Sequence, residues 1–373
     1  MDEVVLGRVV LDEEVVPARV TVTDGWISSV EPDERGASGP IVTPGFVDLH
    51  VHGWGGHAAI GGPAAVAGMA GALLRHGVTS FLPTAPSIAV ADLLPFGDHV
   101  RAAMSSATDD VADILGFNLE GPFLAPARRG AHDLKLLITP AEFDATASEL
   151  PLDGLRVVTI APELPGALAL IERLAARGVA VSIGHSAGTL EDARAGYAAG
   201  ARTTTHLFNA MTGVDHHSPG VAVAALTEDA AFVELIADGD HVHPALWPII
   251  TRTKPADRLV LVSDALPIAG MGDGDTSLGD LQVEVRNGRA TLAGTSTLAG
   301  SVIALDTALR NLVRSGLPLP AAVAAATSNP LAIIGQRDRG RIAVGQRAHL
   351  VELNDDLEVV RVTRGHRWIE GAA

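Results

Sequence analysis

The sequence contains no cysteine and only two lysines, Lys135 and Lys254, among its 373 residues. The absence of cysteine excludes disulfide bonds, thiolate metal ligands and cysteine nucleophiles. Acidic residues outnumber basic ones by 44 to 27, which gives a formal net charge of −17. Nucleic acids and anionic membranes bind basic surfaces, so we expect neither as a partner.

Targeting and membrane segments are also missing from the sequence. The first residues, Met-Asp-Glu, are acidic and lack the basic and apolar regions of a secretory signal peptide. No uncharged apolar run approaches the roughly 20 residues that cross a bilayer. We therefore expect a soluble, cytoplasmic protein. With 47% hydrophobic residues, the chain can bury a large core, as one big domain or as one big and one small domain.

Both ends of the chain have the alternating pattern of short β-strands. In residues 1–43 the alternation continues on either side of Asp24-Gly25, a dipeptide suited to a two-residue hairpin turn. In residues 337–373, β-rich runs are separated by Asn354-Asp355. We predict one small β-sandwich-like domain, built from residues 1–43 together with residues 337–373.

Residues 44–336 alternate apolar β-branched runs with Ala/Leu-rich stretches, a pattern typical of parallel βα units. The candidate strands number eight: 45–52, 78–84, 114–122, 156–163, 179–186, 201–209, 232–243 and 259–265. This count predicts an α/β fold, a (β/α)8 TIM barrel. A doubly wound open sheet is the alternative, disfavoured because no Gly-rich phosphate loop follows the first strand. A hairpin near 276–295, turning at Asn287-Gly288, is predicted as an insertion.

Histidines and acidic residues stand at the ends of most of these predicted strands. In chain order they are His50, His52, Glu120, His185, His206, His241 and Asp264. Because the carboxyl ends of barrel strands converge on one mouth, we expect these side chains to form a divalent-metal site there. The spacing of two places His50 and His52 on the same face of their strand. A carboxylate buried at Glu120 or Asp264 needs a partner, either a metal ion or a buried ion pair.

Several segments give the sequence a resemblance to a known family. They are PGFVDLHVHGWGG (44–56), LEGPFLAPARRGAH (119–132), IGHSAGT (183–189), THLFNAM (205–211), IADGDHV (236–242) and SDA (263–265). With these segments the chain resembles the N-acetylglucosamine-6-phosphate deacetylase family of the amidohydrolase superfamily. The resemblance implies a metal-dependent hydrolase that converts N-acetylglucosamine 6-phosphate to glucosamine 6-phosphate and acetate.

The resemblance also implies the metal chemistry. Glu120, His185 and His206 match the principal metal site, whereas His50 and His52 match a pair that binds a second ion in some members. We therefore expect one or two divalent ions, with zinc or iron the best candidates for such a ligand set. Neither lysine lies at a strand end, so a carboxylated lysine cannot bridge two ions as it does in many relatives.

Catalytic and substrate-binding roles follow from the same resemblance. Asp264, beside the metal, matches the acid/base that takes a proton from water and returns it to the leaving amine. His241 is expected to help stabilise the oxyanion. The positions that match substrate contacts are Ala131, His132, Asn209, Ala210, His241 and Leu298. Relatives are commonly dimers in which the loop after FNAM reaches the partner's site, so we expect a homodimer.

The loop after FNAM departs from the family pattern. Members typically have a phosphate-binding arginine two residues before Pro-Gly, where this chain has His217. Histidine lacks the permanent charge and the bidentate fork of arginine. Three interpretations stay open: His217, with His216 or His132, binds the phosphate; the substrate is another N-acyl amine or an unphosphorylated N-acetylhexosamine; or the loop is solvated and Arg128 or Arg129 supplies the charge. A non-catalytic scaffold is disfavoured because all expected ligands are present.

Overall fold

The structure is a computed structural model that describes residues 3–146 and 148–372. It begins with four strands. They are β1 (Glu3–Val10), β2 (Val15–Thr23), β3 (Trp26–Pro32) and β4 (Ile41–Pro44). The first three pair in antiparallel order, and β4 lies parallel to β1. Asp24 and Gly25, between β2 and β3, have φ angles of 49° and 79°. Two positive φ angles are what the predicted two-residue hairpin turn requires.

The middle of the chain forms a closed parallel barrel. Its strands, with the short ones between them, are β5 (Phe46–Val51), β6 (Gly53–Trp54), β7 (His57–Ala58), β8 (Val78–Ala85), β9 (Asp113–Ile114), β10 (Phe117–Leu119), β11 (Leu155–Ile160), β12 (Ala180–Ile183), β13 (Thr203–Thr204), β14 (Phe232–Leu235) and β15 (Leu259–Leu261). The sheet order is β5-β8-β10-β11-β12-β13-β14-β15. Backbone hydrogen bonds from Asp264 to His50 (2.8 Å) and from His52 to Ala265 (2.9 Å) join the last strand to the first. This closure confirms the predicted (β/α)8 barrel and contradicts the open-sheet alternative.

Helices connect the barrel strands and cover their outer side. They are α1 (Pro63–Leu74), α2 (Leu93–Ser105), α3 (Pro140–Ala145), α4 (Ala167–Ala176), α5 (Leu190–Ala198), α6 (Val221–Thr227), α7 (Trp247–Thr253), α8 (Leu305–Arg314), α9 (Leu319–Ala326) and α10 (Ser328–Ile333). In α4 the buried residues Ala167, Leu170, Ile171 and Leu174 recur every three to four positions, which places one apolar face against the barrel. No helix in residues 3–146 and 148–372 combines the length and apolar character needed to cross a bilayer.

A three-stranded antiparallel sheet follows the last barrel strand. It consists of β16 (Gly274–Leu278), β17 (Leu281–Arg286) and β18 (Arg289–Leu292). Asn287 and Gly288, between β17 and β18, have φ angles of 53° and 73°, so this hairpin also turns through two left-handed residues. Its apolar side packs on Leu266 and Ile268, which follow β15. The hairpin therefore lies beside the carboxyl end of the eighth strand.

The last strands of the chain complete the sheet that the first four begin. They are β19 (His349–Leu353), β20 (Val359–Arg364) and β21 (Trp368–Glu370). The seven strands have the order β21-β20-β19-β4-β1-β2-β3. Backbone hydrogen bonds between Ile27 on β3 and residues 345–346 fold the sheet over a small core of its own. Both termini thus build one β unit, and its division from the barrel at residues 43/44 and 336/337 stays a prediction.

A cluster of charged side chains connects this β unit to the barrel. Asp113 on β9 pairs with Arg339 and with Arg364 on β20. His349 on β19 is buried, with its Nε2 3.7 Å from the Asp113 carboxylate. Burial, together with the charge of Arg339, lowers the pKa of His349 to about 3. The folded protein therefore keeps this ring neutral.

We predict that His349 makes the protein less stable in mild acid. Because the pKa of His349 is about 3 in the folded state and near 6.5 in the unfolded chain, the unfolded state binds more protons between these values. The free energy of unfolding should then fall by up to about 1.4 kcal/mol per pH unit on acidification. In urea unfolding at pH 6, 5 and 4, the free energy of unfolding of His349→Gln should decrease less on acidification than that of the wild type. Equal losses in the two proteins would contradict the prediction.

Candidate metal centre and active site

The histidine and carboxylate side chains predicted at the strand ends meet inside the barrel mouth. His50 lies on β5, and the others follow β5, β10, β12, β13 and β15: His52, Glu120, His185, His206 and Asp264. All six are buried, and the most accessible of them, Asp264, is only 6% exposed. Predominantly apolar strands such as β5 are buried along their whole length, and most of the site's polar residues stand where these strands end.

Three of these residues have left-handed backbone conformations. The φ angles are 46° at His185, 29° at His206 and 51° at Asp264. Residues other than glycine adopt this region at a cost of about 1–3 kcal/mol each, and they do so mainly at functional sites. At each of the three positions the strand therefore ends in a sharp change of direction at the residue that faces the site.

Glu120, His185 and His206 bring three ligand atoms together. The Glu120 Oε1 lies 3.0 Å from the His185 Nε2 and 2.8 Å from the His206 Nε2, and the two nitrogens are 3.0 Å apart. The His185 Nδ1–H donates to the Arg128 carbonyl (2.8 Å), so the proton of the neutral ring is on that side. Burial lowers the pKa of His185 to about 4, so its Nε2 presents a lone pair to an anionic oxygen. A cation held by these atoms would remove the repulsion between the nitrogen lone pair and the carboxylate oxygen.

A second group contains His50, His52, Glu120 and Asp264. The His52 Nδ1–H donates to the Thr84 carbonyl (3.0 Å), while its Nε2 lies 3.0 Å from both the Glu120 Oε2 and the Asp264 Oδ1. The His50 Nε2 is buried and has no hydrogen-bond partner. Burial opposes protonation of His52, but the two carboxylates outweigh it and raise the pKa to about 9. Each nitrogen therefore needs either a proton or a metal ion opposite the carboxylates.

The residues present fit a divalent metal ion. Nitrogen and oxygen ligands bind zinc at about 2.0–2.2 Å, so ligand atoms around one tetrahedral ion lie roughly 3.3 Å apart. The separations around Glu120 approach this value, and Glu120 belongs to both groups. Burial alone would raise the pKa of Asp264, but the hydrogen bond from His52 and the charge of His50 lower it to about 2. The carboxylates of Glu120 and Asp264, whose pKa values are both lowered, are thus ionised and available to a cation.

Two further carboxylates support the histidines from inside the barrel. The Glu234 Oε2 lies 3.3 Å from the His50 Nδ1 and accepts the backbone N–H of His206 (3.3 Å). The Asp48 Oδ1 accepts the backbone N–H of His50 (3.2 Å), and burial raises the pKa of Asp48 to about 6. A carboxylate on the far nitrogen of an imidazole fixes the ring and makes the near nitrogen a better metal ligand.

Above the centre lies a cavity of about 420 Å³. On its wall His241 is oriented by Asp238, whose Oδ2 is 2.6 Å from the His241 Nδ1. Burial opposes a charge on His241, but the hydrogen bond and charge of Asp238 raise its pKa. This ring can therefore retain a proton and donate it as a hydrogen bond to a ligand in the cavity.

His132 differs from the other histidines in its protonation pattern. Its Nδ1 accepts the backbone N–H of Ser87 (3.1 Å), so the neutral ring has its proton on Nε2. That nitrogen is 3.3 Å from the Glu120 Oε2 and can donate to it. His132 is thus a hydrogen-bond donor at the rim of the centre, whereas the Nε2 atom of His185 presents a lone pair.

Comparison with known proteins places this geometry in a family. The sequence pattern of the Amidohydrolase family matches residues 41–366. The human protein named N-acetylglucosamine-6-phosphate deacetylase is 37% identical over 348 residues, which cover 88% of this chain and 83% of that protein. The chain belongs to the N-acetylglucosamine-6-phosphate deacetylase family. It is accordingly a hydrolytic enzyme that acts on an amide.

Other members of the family support the assignment. A protein of Escherichia coli O157:H7 named N-acetylgalactosamine-6-phosphate deacetylase is 34% identical and aligns over 100% of this chain and 99% of its own length. The crystal structure of the Thermotoga maritima N-acetylglucosamine-6-phosphate deacetylase superimposes with a TM-score of 0.91 at 31% identity, covering 99% and 100% of the chains. A mutant of the Mycobacterium smegmatis enzyme in complex with N-acetyl-D-glucosamine-6-phosphate gives 0.90 at 35% identity, covering 98% and 99%.

The cavity brings together most of the predicted substrate-binding residues of this family member. Its lining includes Ala131, His132, Asn209, Ala210, His241 and Leu298. His217 is different: it lies on an exposed loop outside the lining residues, and its ring stacks on His216 at 3.9 Å. Its backbone N–H donates to Asp215 (2.8 Å). A role for His217 at the cavity of its own chain has no support from this geometry, so its substrate role stays a prediction.

Several side chains of the site were not predicted from the sequence. Arg289, at the start of β18, lines the cavity, because the hairpin after β15 lies over the barrel mouth. Glu234 and Asp238 orient histidines, and Ser87 sets the proton of His132. Acidic residues within the apolar segments FVEL and IADGDHV were the only signal for the first two. Nothing local in the sequence indicates where Arg289 lies.

We predict that Glu120→Gln removes metal binding at both groups, because the amide replaces the anionic oxygens that they share. Changes outside the ligand shell alone weaken metal binding about 10–100-fold, so loss of this ligand should cost at least about 100-fold. Metal content after chelation and reloading with Zn²⁺, measured by mass spectrometry, checks this. His99→Gln, on the exposed side of α2, is the matched control and should load like the wild type. Wild-type loading of Glu120→Gln would refute the assignment.

Proposed function

We propose that this protein hydrolyses the acetamide of N-acetylglucosamine 6-phosphate, giving glucosamine 6-phosphate and acetate. The observation that supports this best is the shared carboxylate Glu120, which lies 2.8–3.0 Å from the Nε2 atoms of His206 and His185 beneath a cavity of about 420 Å³. Relatives named for this reaction align over most of the chain. We assign His185, His206 and Glu120 to one divalent ion and His50, His52, Glu120 and Asp264 to a second position. Zinc or iron suits this set of ligands best.

A divalent ion at such a site supplies Lewis-acid chemistry, which polarises a carbonyl and lets water attack it at neutral pH. Asp264 acts as the base in this proposal: its pKa of about 2 keeps it ionised, and it accepts the proton of the attacking water. The C–N bond then breaks as Asp264 returns that proton to the nitrogen of the leaving amine. An unprotonated amine is a poor leaving group, so this return is needed for product formation.

His241 and His132 stabilise the reacting carbonyl in this account. His241 is held by Asp238 and has a raised pKa, so it can donate to the oxygen that becomes negative. His132 has its proton on Nε2 and faces the same cavity. We assign Asn209, whose side-chain amide donates to the backbone carbonyls of His206 and Leu207, to a contact with the sugar ring.

The phosphate of the substrate is assigned to the arginines of the cavity. Arg289 and Arg128 both line it, and the nearest carboxylate to Arg289 is Asp240 at 4.0 Å. Arginine pairs with phosphate through two parallel hydrogen bonds. His217 is assigned to the partner's cavity in a homodimer, because its loop is exposed and His217 does not line the cavity of its own chain. We place the enzyme in the cytoplasm.

The other interpretations are less well supported. An unphosphorylated sugar or another N-acyl amine is disfavoured because the relatives are named for 6-phosphates. A non-catalytic scaffold is disfavoured because every predicted ligand is present at the centre. The 4-epimer, N-acetylgalactosamine 6-phosphate, is a second candidate substrate, because the relative named for it aligns over the full chain.

We predict that Asp264→Asn loses activity while the protein still binds metal at His185 and His206. Loss of a positioned acid/base lowers turnover by about 10²–10⁴-fold. Acetate released from N-acetylglucosamine 6-phosphate by the Zn²⁺-loaded protein measures the effect, and the 4-epimer is assayed in parallel. Near-wild-type turnover of the loaded variant would show that Asp264 is not the acid/base. No acetate from either sugar phosphate with the wild type would overturn the proposed function.

We predict that Arg289→Ala raises KM for N-acetylglucosamine 6-phosphate and leaves kcat close to the wild-type value. Loss of a charge-assisted hydrogen bond weakens binding about 10–100-fold, while the unphosphorylated sugar has no group for this arginine to bind. The comparison of kcat/KM for the two sugars isolates the phosphate contribution. Arg286→Ala, on the same hairpin but outside the cavity, is the matched control. An equal loss for both sugars would contradict the phosphate assignment.

A further inference from the structure

A second cavity, of about 590 Å³, lies at the opposite end of the barrel. Three of its lining residues mark this position: Arg202 immediately precedes β13, Phe232 begins β14, and Arg258 immediately precedes β15. The site described above lies at the other ends of these same strands. The two cavities are therefore separated by the full length of the barrel, and neither shares a lining residue with the other.

The lining of this cavity is strongly basic. Among its 13 described lining residues, five are arginines and none is acidic: Arg202, Arg258, Arg337, Arg339 and Arg341. The whole chain has only 27 basic residues against 44 acidic ones. Five cations around one cavity, in a protein of net charge −17, are an unusual local concentration that attracts anions.

Carboxylates compensate only part of this charge. Arg339 pairs with Asp113 and Asp338, Arg341 with Asp12, and Arg258 with Asp257. Arg202 and Arg337 form no ion pair with any residue in the described parts of the chain. The Arg258 Nε is buried and has no hydrogen-bond partner. Within the described residues, the cavity thus retains two exposed guanidinium groups, of Arg202 and Arg337, whose charge no carboxylate balances, and one buried N–H donor without a partner, on Arg258.

We infer that this cavity is a binding site for a small, multiply charged phosphorylated metabolite. Guanidinium groups bind phosphate oxygens through paired hydrogen bonds, and more than one unmatched guanidinium calls for more than one anionic group. The volume lies within the usual range for small-molecule sites. Gln336, Gln346 and Ser328 add neutral hydrogen-bonding groups to the lining, and the buried Gln346 Oε1 also lacks a partner.

A long nucleic acid fits the same observations poorly. The arginines line a concavity, and the remainder of the chain is strongly acidic, so a long polyanion would be repelled outside the cavity. A bound metabolite would contact the starts of the strands that lead to His206 and Asp264. The inference does not depend on the proposed reaction, because it concerns a separate cavity with separate residues.

Calorimetric titration of the full-length, Zn²⁺-loaded protein with fructose 1,6-bisphosphate and with ADP tests the inference. We expect saturable binding of at least one of them, weakened at least about tenfold in Arg202→Gln/Arg337→Gln. Arg194→Gln/Arg314→Gln removes the same charge from exposed positions on α5 and α8, and it should bind like the wild type. Arg289→Ala should also bind like the wild type, since it changes only the other cavity.

Unchanged acetate release by the Arg202/Arg337 double variant shows that it folds. Wild-type affinity in that variant, or no binding of either probe to any protein, would overturn the inference. If only Arg289→Ala loses affinity for the probe, the probe binds in the active-site cavity. If Arg194→Gln/Arg314→Gln loses as much affinity as Arg202→Gln/Arg337→Gln, the binding depends only on the net charge of the protein. Both of these outcomes would also refute the proposed site.

Discussion

The carboxylate of Glu120 faces imidazole nitrogens on both of its oxygens, and the rest of the site is arranged around this contact. Its Oε1 lies 2.8–3.0 Å from His206 and His185, and its Oε2 lies 3.0 Å from His52. Backbone carbonyls of Arg128 and Thr84 hold the ring protons on the far nitrogens. Lone pairs and anionic oxygens at such distances repel one another unless a proton or a metal ion lies between them.

The barrel makes this contact possible because it brings the ends of separate strands to one place. Hydrogen bonds between Asp264 and His50 close the barrel at the site itself, so closure and site geometry depend on the same backbone. The left-handed conformations of His185 and His206 then direct two strand ends toward Glu120. The cavity above the centre is built differently: the hairpin and loops outside the barrel supply Arg289 and His132 to its lining. Specificity can therefore vary while the metal chemistry is retained.

The features that depend on local pattern were predictable from the sequence. Apolar runs of β-branched residues indicated all eight barrel strands, and polar residues at their ends indicated the centre around Glu120. Features that depend on distant contacts were not predictable. The proton of His132 is set by the backbone of Ser87, and Arg289 reaches the cavity only because its hairpin folds over the barrel mouth. The exposed position of His217 likewise depends on how its loop packs.

Anomalous diffraction at the zinc absorption edge, from crystals of the reloaded protein, tests the central claim most directly. We expect a peak within coordination distance, about 2.0–2.2 Å, of the Glu120 carboxylate and the Nε2 atoms of His185 and His206. A second ion would lie on the other side of the same carboxylate, toward His52. Fully loaded crystals with no peak beside Glu120, or with zinc only at other residues, would contradict it.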